Sequence, residues 1–222
     1  MGKYIIEFIG TFFLVFVIAL TTNDPQIWAG GGTPFAPIAI GTILMVMVYM
    51  GGHISGAHYN PAVTLACWIN KKIASKDAVT YMIIQVIGAI VAALAFYFIF
   101  GRVANAPRPM GGFDYNFKPM LVELIFTFAL AMVVLNVAVS KDVAGNSYYG
   151  LAIGFTILAS AYAGGPVSGG AFNPAVGIGP TLVSSMLGGG SFDCLWIYII
   201  GPFAGSALAA VVYRAANARE NL

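Results

Sequence analysis

The tripeptide Asn-Pro-Ala occurs twice in this chain, beginning at Asn60 and again at Asn173. Each copy lies in a similar frame, at residues 55–63 and 168–176. Both frames open with Ser-Gly and close with Asn-Pro-Ala-Val, and the second follows 113 positions after the first. A frame repeated in this way in a hydrophobic chain indicates a duplicated membrane unit whose two copies can meet at one functional site.

The composition favours a membrane protein. Hydrophobic residues make up 59% of the chain and charged residues 8%, whereas soluble domains contain about 25% charged residues. A net charge of +2 gives no reason to expect a nucleic-acid partner. Glu7 interrupts the first apolar run and no small-residue cleavage site follows, so we interpret that run as an uncleaved span. We predict an all-α membrane protein with six transmembrane helices, from apolar runs at about residues 4–22, 35–50, 78–101, 119–139, 147–164 and 194–214.

Two shorter apolar pieces, at about residues 61–69 and 174–183, begin at the tripeptides. Each is too short to cross a hydrocarbon layer of about 30 Å as a helix. Asn is a good N-cap and Pro suits the first helical position, so each tripeptide predicts a helix start. We expect the Gly-rich stretches before them, Gly51–Tyr59 and Gly164–Phe172, not to be regular helix. The prediction is two re-entrant half-helices that meet N-terminus to N-terminus.

The two halves of the chain, about residues 1–101 and 119–214, match beyond the tripeptides. Three spans in each half is an odd number, so the halves must have opposite topology, which places a shared site near the bilayer midplane. The further matches, the last of them weak, are Glu7–Phe12 with Glu123–Phe128, Ala39–Gly41 with Ala152–Gly154, and Gln85–Gly88 with Pro202–Gly205.

The distribution of Lys and Arg predicts the orientation. Six crossings put both termini on one side, and that side holds seven of the ten basic residues. We therefore expect both termini in the cytoplasm. The seven are Lys3, Lys71, Lys72, Lys76, Lys141, Arg214 and Arg219, against Arg102, Arg108 and Lys118 on the other side.

Opposed half-helices have an electrostatic consequence. Each helix N-terminus carries the equivalent of about +0.5 charge, so two of them facing a narrow lumen repel cations, including hydronium. The Asn60 and Asn173 amides can donate to a passing water, which then points its own hydrogens away and interrupts a proton wire. The predicted midplane residues are Asn60, Pro61, Ala62, Asn173, Pro174 and Ala175. The predicted carbonyl acceptors along the path belong to Gly56, Ala57, His58, Tyr59, Gly169, Gly170, Ala171 and Phe172.

With these motifs the chain resembles the aquaporin, or major intrinsic protein, family over essentially its full length. The resemblance also rests on Gly52–Gly56, Glu7, Glu123 and Gln85. It implies a single channel domain over residues 1–222, with a pore in each monomer and usually a homotetramer. The implied function is a passive channel for water and small neutral solutes that excludes protons and ions, with no cofactor or metal.

The chain departs from many family members directly after the second tripeptide, where Val176 replaces an Arg of the outer aromatic/arginine filter. The other filter positions fall on Ile40, Ala161 and Gly170, although a shift of one residue would select Ser160 or Tyr162 instead of Ala161. These small or medium side chains predict a wide, weakly polar filter that admits ammonia, urea, glycerol or hydrogen peroxide.

Two further features bear on the filter. The segment Asn173–Pro180 locally resembles the tonoplast intrinsic subgroup, which also carries Val here, although its usual filter His is replaced by Ile40. Loop Gly101–Lys118, with its segment Asp114–Phe117, could instead fold into the outer mouth and narrow it again.

Glu7 and Glu123 lie inside predicted spans, where ionisable groups are costly. We expect each to accept backbone N–H bonds from a re-entrant loop and to brace it. The alternative is proton-coupled secondary transport of a small solute. His53 and His58 share one re-entrant loop, where packing is favoured over pH sensing. No catalytic constellation stands out, so we do not expect an enzyme.

Overall fold

Eight α-helices make up most of the computed structural model, which describes residues 1–22, 33–109 and 117–217. Six of them, with α5 counted together with its π-helical extension, are long and apolar enough to span a membrane. The predicted all-α architecture of six spans and two half-helices is therefore confirmed. The helices are α1 (Gly2–Thr22), α2 (Ala36–Ser55), α3 (Pro61–Ile69), α4 (Ser75–Phe100), α5 (Phe117–Val134), α6 (Tyr149–Ser168), α7 (Pro174–Leu187) and α8 (Leu195–Ala216).

The Gly-rich stretches before the tripeptides are more helical than expected. Helix α2 continues to Ser55 and α6 continues to Ser168, so the prediction of irregular backbone from Gly51 and Gly164 was wrong. At Gly164 a side chain has no space, because a Cβ there would lie 2.9 Å from the Phe126 and Phe172 rings. Within these two stretches, the backbone is irregular only at residues 56–59 and 169–172.

The two halves pack in the same way. Helix α1 contacts α2 and α4, and α5 contacts α6 and α8. Helices α2 and α6 cross at two glycines that the repeat relates: a Cβ on Gly41 would lie 2.7 Å from the Gly154 carbonyl oxygen, and one on Gly154 would lie 2.5 Å from the Gly41 carbonyl oxygen. Gly201 plays a similar part between α8 and α5, since its Cβ would lie 2.8 Å from the Met120 carbonyl oxygen.

One face of the bundle carries the N-terminus of α1 and the C-terminus of α8, and we call it the terminal face. Lys3 Nζ and Tyr4 Oη donate to the Asp77 carboxylate at the start of α4, at 2.7 and 2.6 Å. Arg214 of α8 donates from Nε to Asn70 Oδ1, at 3.2 Å. Large apolar side chains such as Phe98 are exposed around the bundle, which is the pattern expected where lipid covers them.

Helix α5 ends on the terminal face in a π-helix, Leu135–Val139, which the sequence did not predict. Its wider turn closes with a bond from Ser140 N to the Leu135 carbonyl, at 2.9 Å. Side-chain amides satisfy nearby carbonyls: Asn136 Nδ2 donates to Met132 O at 2.8 Å, and Asn146 Nδ2 donates to Val137 O at 2.7 Å.

Candidate functional site

The N-termini of the two half-helices are capped by the tripeptide asparagines. Asn60 Oδ1 accepts from Ala62 N at 2.8 Å, and Asn173 Oδ1 accepts from Ala175 N at 2.9 Å. Pro follows each Asn at the first helical position, where no N–H is needed. The side-chain oxygen of each Asn therefore accepts from the backbone of its own helix, which leaves the amide N–H groups for other partners.

Those amides link the two halves. Asn60 Nδ2 donates to the Phe172 carbonyl, and Asn173 Nδ2 donates to the Tyr59 carbonyl, both at 2.9 Å. Eight carbonyls were expected to act as acceptors along the path. Two of them, those of Tyr59 and Phe172, already accept hydrogen bonds from protein side chains. An amide has two N–H groups, so each Asn retains one beyond this reciprocal bond.

The two re-entrant loops have the same backbone conformation. Gly56 and Gly169 have φ of 87° and 89°, and Tyr59 and Phe172 have φ of 49° and 48°. A positive φ is unfavourable for an aromatic residue, so these loops need fixed partners to hold their shape.

Glu7 provides those partners on the first loop. Its Oε1 accepts from Ser55 Oγ at 2.7 Å and from His58 N at 2.9 Å, and its Oε2 accepts from Tyr59 N at 2.7 Å and from Gln85 Nε2 at 2.8 Å. The side chain is fully buried, and the four donors replace the water it has lost.

Glu123 holds the second loop with one donor fewer. Its carboxylate accepts from Ser168 Oγ at 2.7 Å, from Ala171 N at 3.0 Å and from Phe172 N at 2.5 Å. Pro202 stands where the repeat aligns Gln85, and among the described residues no side-chain amide takes the fourth place. Both contact sets are those expected of a carboxylate that braces a loop, and neither Glu lines the cavity described next.

A narrow cavity lies where the two loops meet and has about 30 Å³ open to water. A buried site needs about 10–15 Å³ for each water, so there is room for about two. Its eighteen lining residues form nine pairs related by the repeat, 116 positions apart on the first helix of each half and 113 elsewhere. The pairs are Leu14/Leu130, Ile18/Val134, Ile40/Ile153, Leu44/Ile157, Ala57/Gly170, His58/Ala171, Tyr59/Phe172, Asn60/Asn173 and Val63/Val176.

Three of the four expected filter residues, Ile40, Gly170 and Val176, line this cavity. Ala161 does not; it lies one helical turn beyond Ile157 on α6, and Ser160 beside it turns its hydroxyl back to Thr156 O at 2.7 Å. Sequence reasoning missed the aliphatic lining of four helices. The available signal was four i, i+4 apolar pairs in matching places of the two halves, at Leu14/Ile18, Ile40/Leu44, Leu130/Val134 and Ile153/Ile157.

A larger cavity, the vestibule, opens on the terminal face and measures about 500 Å³. Its lining includes the charged residues Lys3, Lys72 and Asp77 and, from the π-helix, the apolar residues Ala138 and Val139. Two residues, His58 and Val134, line both the vestibule and the central cavity.

On the opposite face, the described part of loop Gly101–Lys118 packs against the second re-entrant loop. A Cβ on Gly169 would lie 2.6 Å from the Arg108 carbonyl oxygen. Burial raises the pKa of the Cys194 thiol, which therefore stays protonated and donates to the Pro107 carbonyl at 3.6 Å. Residues 114–116 of the segment considered for the outer mouth lie outside the described residues.

Comparison with known proteins gives a match to one family. The family model for "Major intrinsic protein" matches residues 1–213. This chain belongs to the major intrinsic protein family. Members of the family are channels, not enzymes, and with its six apolar helices this member is an integral, multi-pass membrane protein.

Relatives of this family member come from bacteria and plants. It is 37% identical to the glycerol uptake facilitator protein-like 6 of Lactiplantibacillus plantarum over 224 residues, covering 99% of this chain and 100% of that protein. It is 38% identical to aquaporin NIP1-1 of Oryza sativa subsp. japonica over 217 residues, covering 95% and 72%. The tonoplast-type resemblance around Val176 remains a local one.

A solved structure shares the fold. The X-ray structure of the aquaglyceroporin from Plasmodium falciparum superimposes with a TM-score of 0.81 at 22% identity, covering 96% of this chain and 94% of that one. At this identity the likeness concerns the fold alone.

Proposed function

We propose that this chain conducts water and small neutral solutes passively across a membrane and excludes protons and ions. The observation that carries the proposal is the cavity lined by nine repeat-related pairs at the meeting point of two half-helix N-termini. Inverted repeats with discontinuous helices place a transport path at this position. Both termini lie in the cytoplasm in this proposal, and the chain assembles as a homotetramer.

The proton barrier in this proposal comes from the ends of α3 and α7. Asn60 and Asn173 both line the cavity, and each keeps one amide N–H after its bond to the other loop. A water that accepts from both points its hydrogens outward, so it cannot relay a proton through the midplane. The two helix dipoles add a repulsion for any cation.

The substrate range follows from the lining and from the size of the cavity. Apart from the loop backbone, His58, Tyr59 and the two asparagines, the described lining is apolar, and it contains no Asp, Glu, Lys or Arg side chain. A space with room for about two waters admits water as it stands, whereas a larger solute must displace aliphatic side chains. We therefore expect permeability to fall from water to urea to glycerol. The name of the bacterial relative, a glycerol uptake facilitator protein-like protein, supports a solute beyond water.

The test uses protein reconstituted in liposomes and stopped-flow light scattering. We expect osmotic water permeability well above that of empty vesicles, and measurable urea and glycerol entry in the predicted order. Water permeability equal to that of empty vesicles, from protein that elutes as a folded species, would overturn the proposal.

The same vesicles distinguish a channel from a proton-coupled transporter. Glu7 and Glu123, the residues that suggested coupling, are both occupied by hydrogen bonds to the loops. A passive channel equilibrates glycerol and leaves an imposed pH gradient unchanged. Accumulation of glycerol driven by that gradient would favour the transporter instead.

A further inference from the structure

We infer that His58 and Val134 form a second, size-selecting constriction on the terminal-face side of the midplane. They are the two described residues that the central cavity and the vestibule have in common, so the path between these spaces runs past both of them. This inference rests on the proposed channel function and names where that channel selects by size.

The His58 side of the constriction is held firmly. Its backbone N donates to Glu7 Oε1 at 2.9 Å, and its ring Nδ1 lies 3.1 Å from Thr64 Oγ1. The Tyr81 ring packs edge-on against it, with centroids 5.4 Å apart. The other ring nitrogen, Nε2, lies beside Gly56 on the vestibule wall. A solute therefore meets a fixed polar edge here.

The Val134 side is apolar and lies at a break in its helix. Val134 is the residue directly before the π-helix Leu135–Val139. The wider turn lets both Ala138 and Val139 face the vestibule below it. Such single-turn π-helices are frequent at functional sites. The Val134 methyl groups thus stand at the rim where the narrow cavity gives way to the larger space.

The repeat shows that this constriction is specific to one side. The counterparts of His58 and Val134 are Ala171 and Ile18, of which Ala171 has no polar side chain and Ile18 lies within the regular helix α1. A polar edge that faces an apolar one suits a small neutral solute with hydroxyl or amide groups on one side and C–H groups on the other. The size limit then lies at His58 and Val134 rather than at Val176.

The experiment compares four variants in liposomes by the ratio of glycerol to water permeability. Val134→Ala widens the constriction, and we expect the ratio to rise about tenfold, the lower end of what one methylene decides in a fitted apolar site. Val134→Ile should lower the ratio. Ile18→Ala removes bulk at the repeat-related position and should raise the ratio much less than Val134→Ala. Val91→Ala changes an exposed residue of α4 and should leave it unchanged.

The outcomes separate this inference from the channel proposal. Wild-type water flux, together with a ratio for Val134→Ala equal to that of wild type, overturns the inference alone. A larger effect of Ile18→Ala than of Val134→Ala also overturns it, because selection would then lie on the opposite-face side. If Val134→Ala does not elute as a folded species, Val134→Ile tests the inference instead. Its ratio of glycerol to water permeability should then be lower than that of wild type, and an equal ratio overturns the inference. Wild type without water flux overturns the channel proposal and this inference with it.

Discussion

At the scale of single residues, the two buried glutamates hold the re-entrant loops by accepting their backbone N–H groups. The pattern of the sequence placed them correctly in spans, and their symmetry suggested one brace for each loop. What it could not supply was the count of donors, which is four on Glu7 and three on Glu123. The sequence matches Gln85 only weakly with Pro202, and it does not show that the Gln85 amide reaches Glu7 across the helices, because that hydrogen bond is a tertiary contact.

Replacement of Glu123 by Gln tests this brace. Each carboxylate oxygen of Glu123 accepts from a backbone N–H, Ala171 N on one and Phe172 N on the other. An amide in either orientation turns an NH₂ group toward one of them, so a buried donor loses its acceptor. We expect Glu123→Gln to lower the unfolding free energy by about 1–3 kcal/mol and to reduce water flux.

The measurement is thermal unfolding in detergent together with stopped-flow water permeability. Asp193→Asn makes the same chemical change on an exposed residue and serves as the matched control, with an effect within about 0.5 kcal/mol. A Glu123→Gln protein as stable as this control would contradict the bracing role.

At the scale of helices, the sequence predicted well which helices exist and in what order. It predicted less well the residues at which they end. The half-helix at residues 61–69 was predicted with its observed bounds, because the Asn cap and Pro mark its start unambiguously. Helix α2 was ended too early because its two glycines were taken as a break, whereas Gly51 packs against the Tyr59 ring and Gly52 against the Tyr149 ring. The π-helix after Val134 depends on Asn136 and Asn146 amides that reach back to carbonyls, a pairing that periodicity does not reveal.

The crossing of α2 and α6 gives a prediction at this scale. A methyl group on Gly154 would lie 2.5 Å from the Gly41 carbonyl oxygen, so Gly154→Ala must push the two helices apart. We expect a loss of about 1–3 kcal/mol in unfolding free energy, as for other overpacked contacts. Gly165→Ala is the matched control on the same helix, because nothing lies within 4 Å of its Cβ.

Thermal unfolding of both purified variants provides the comparison. Gly165→Ala should be unchanged or more stable by up to about 1 kcal/mol, since Ala favours a helix over Gly. Equal stability of the two variants would mean that close contact at Gly154 is not what holds α2 against α6.

At the scale of the whole molecule, the inverted repeat organises both the lining and the faces. On the terminal face, the ion pair Lys3–Asp77 joins the start of α1 to the start of α4, and the Arg214–Asn70 bond joins the end of α8 to the end of α3. The repeat itself was visible in the sequence from four short matches. The pairing of all eighteen cavity residues was not predicted, although the two offsets, 116 and 113, are present in those matches, because packing decides which side chains face the cavity.

Orientation in the membrane is the prediction that belongs to this scale. The sequence assigns seven basic residues to the side of the termini and three to the other, which by the positive-inside rule predicts that the termini lie in the cytoplasm. A green fluorescent protein fused after Leu222 should therefore fluoresce in bacterial cells and resist protease added to spheroplasts. Its digestion by external protease, with a cytosolic marker left intact, would reverse the assignment.

The reciprocal bonds between Asn60 and Phe172 and between Asn173 and Tyr59 also constrain how the protein is made. The first re-entrant loop is synthesised more than one hundred residues before the carbonyl that its amide requires. Unpaired polar backbone is not tolerated in contact with lipid, so we expect this loop to stay hydrated until α6 and α7 have emerged. The first three spans then reach their final packing only after the second half of the chain has entered the membrane.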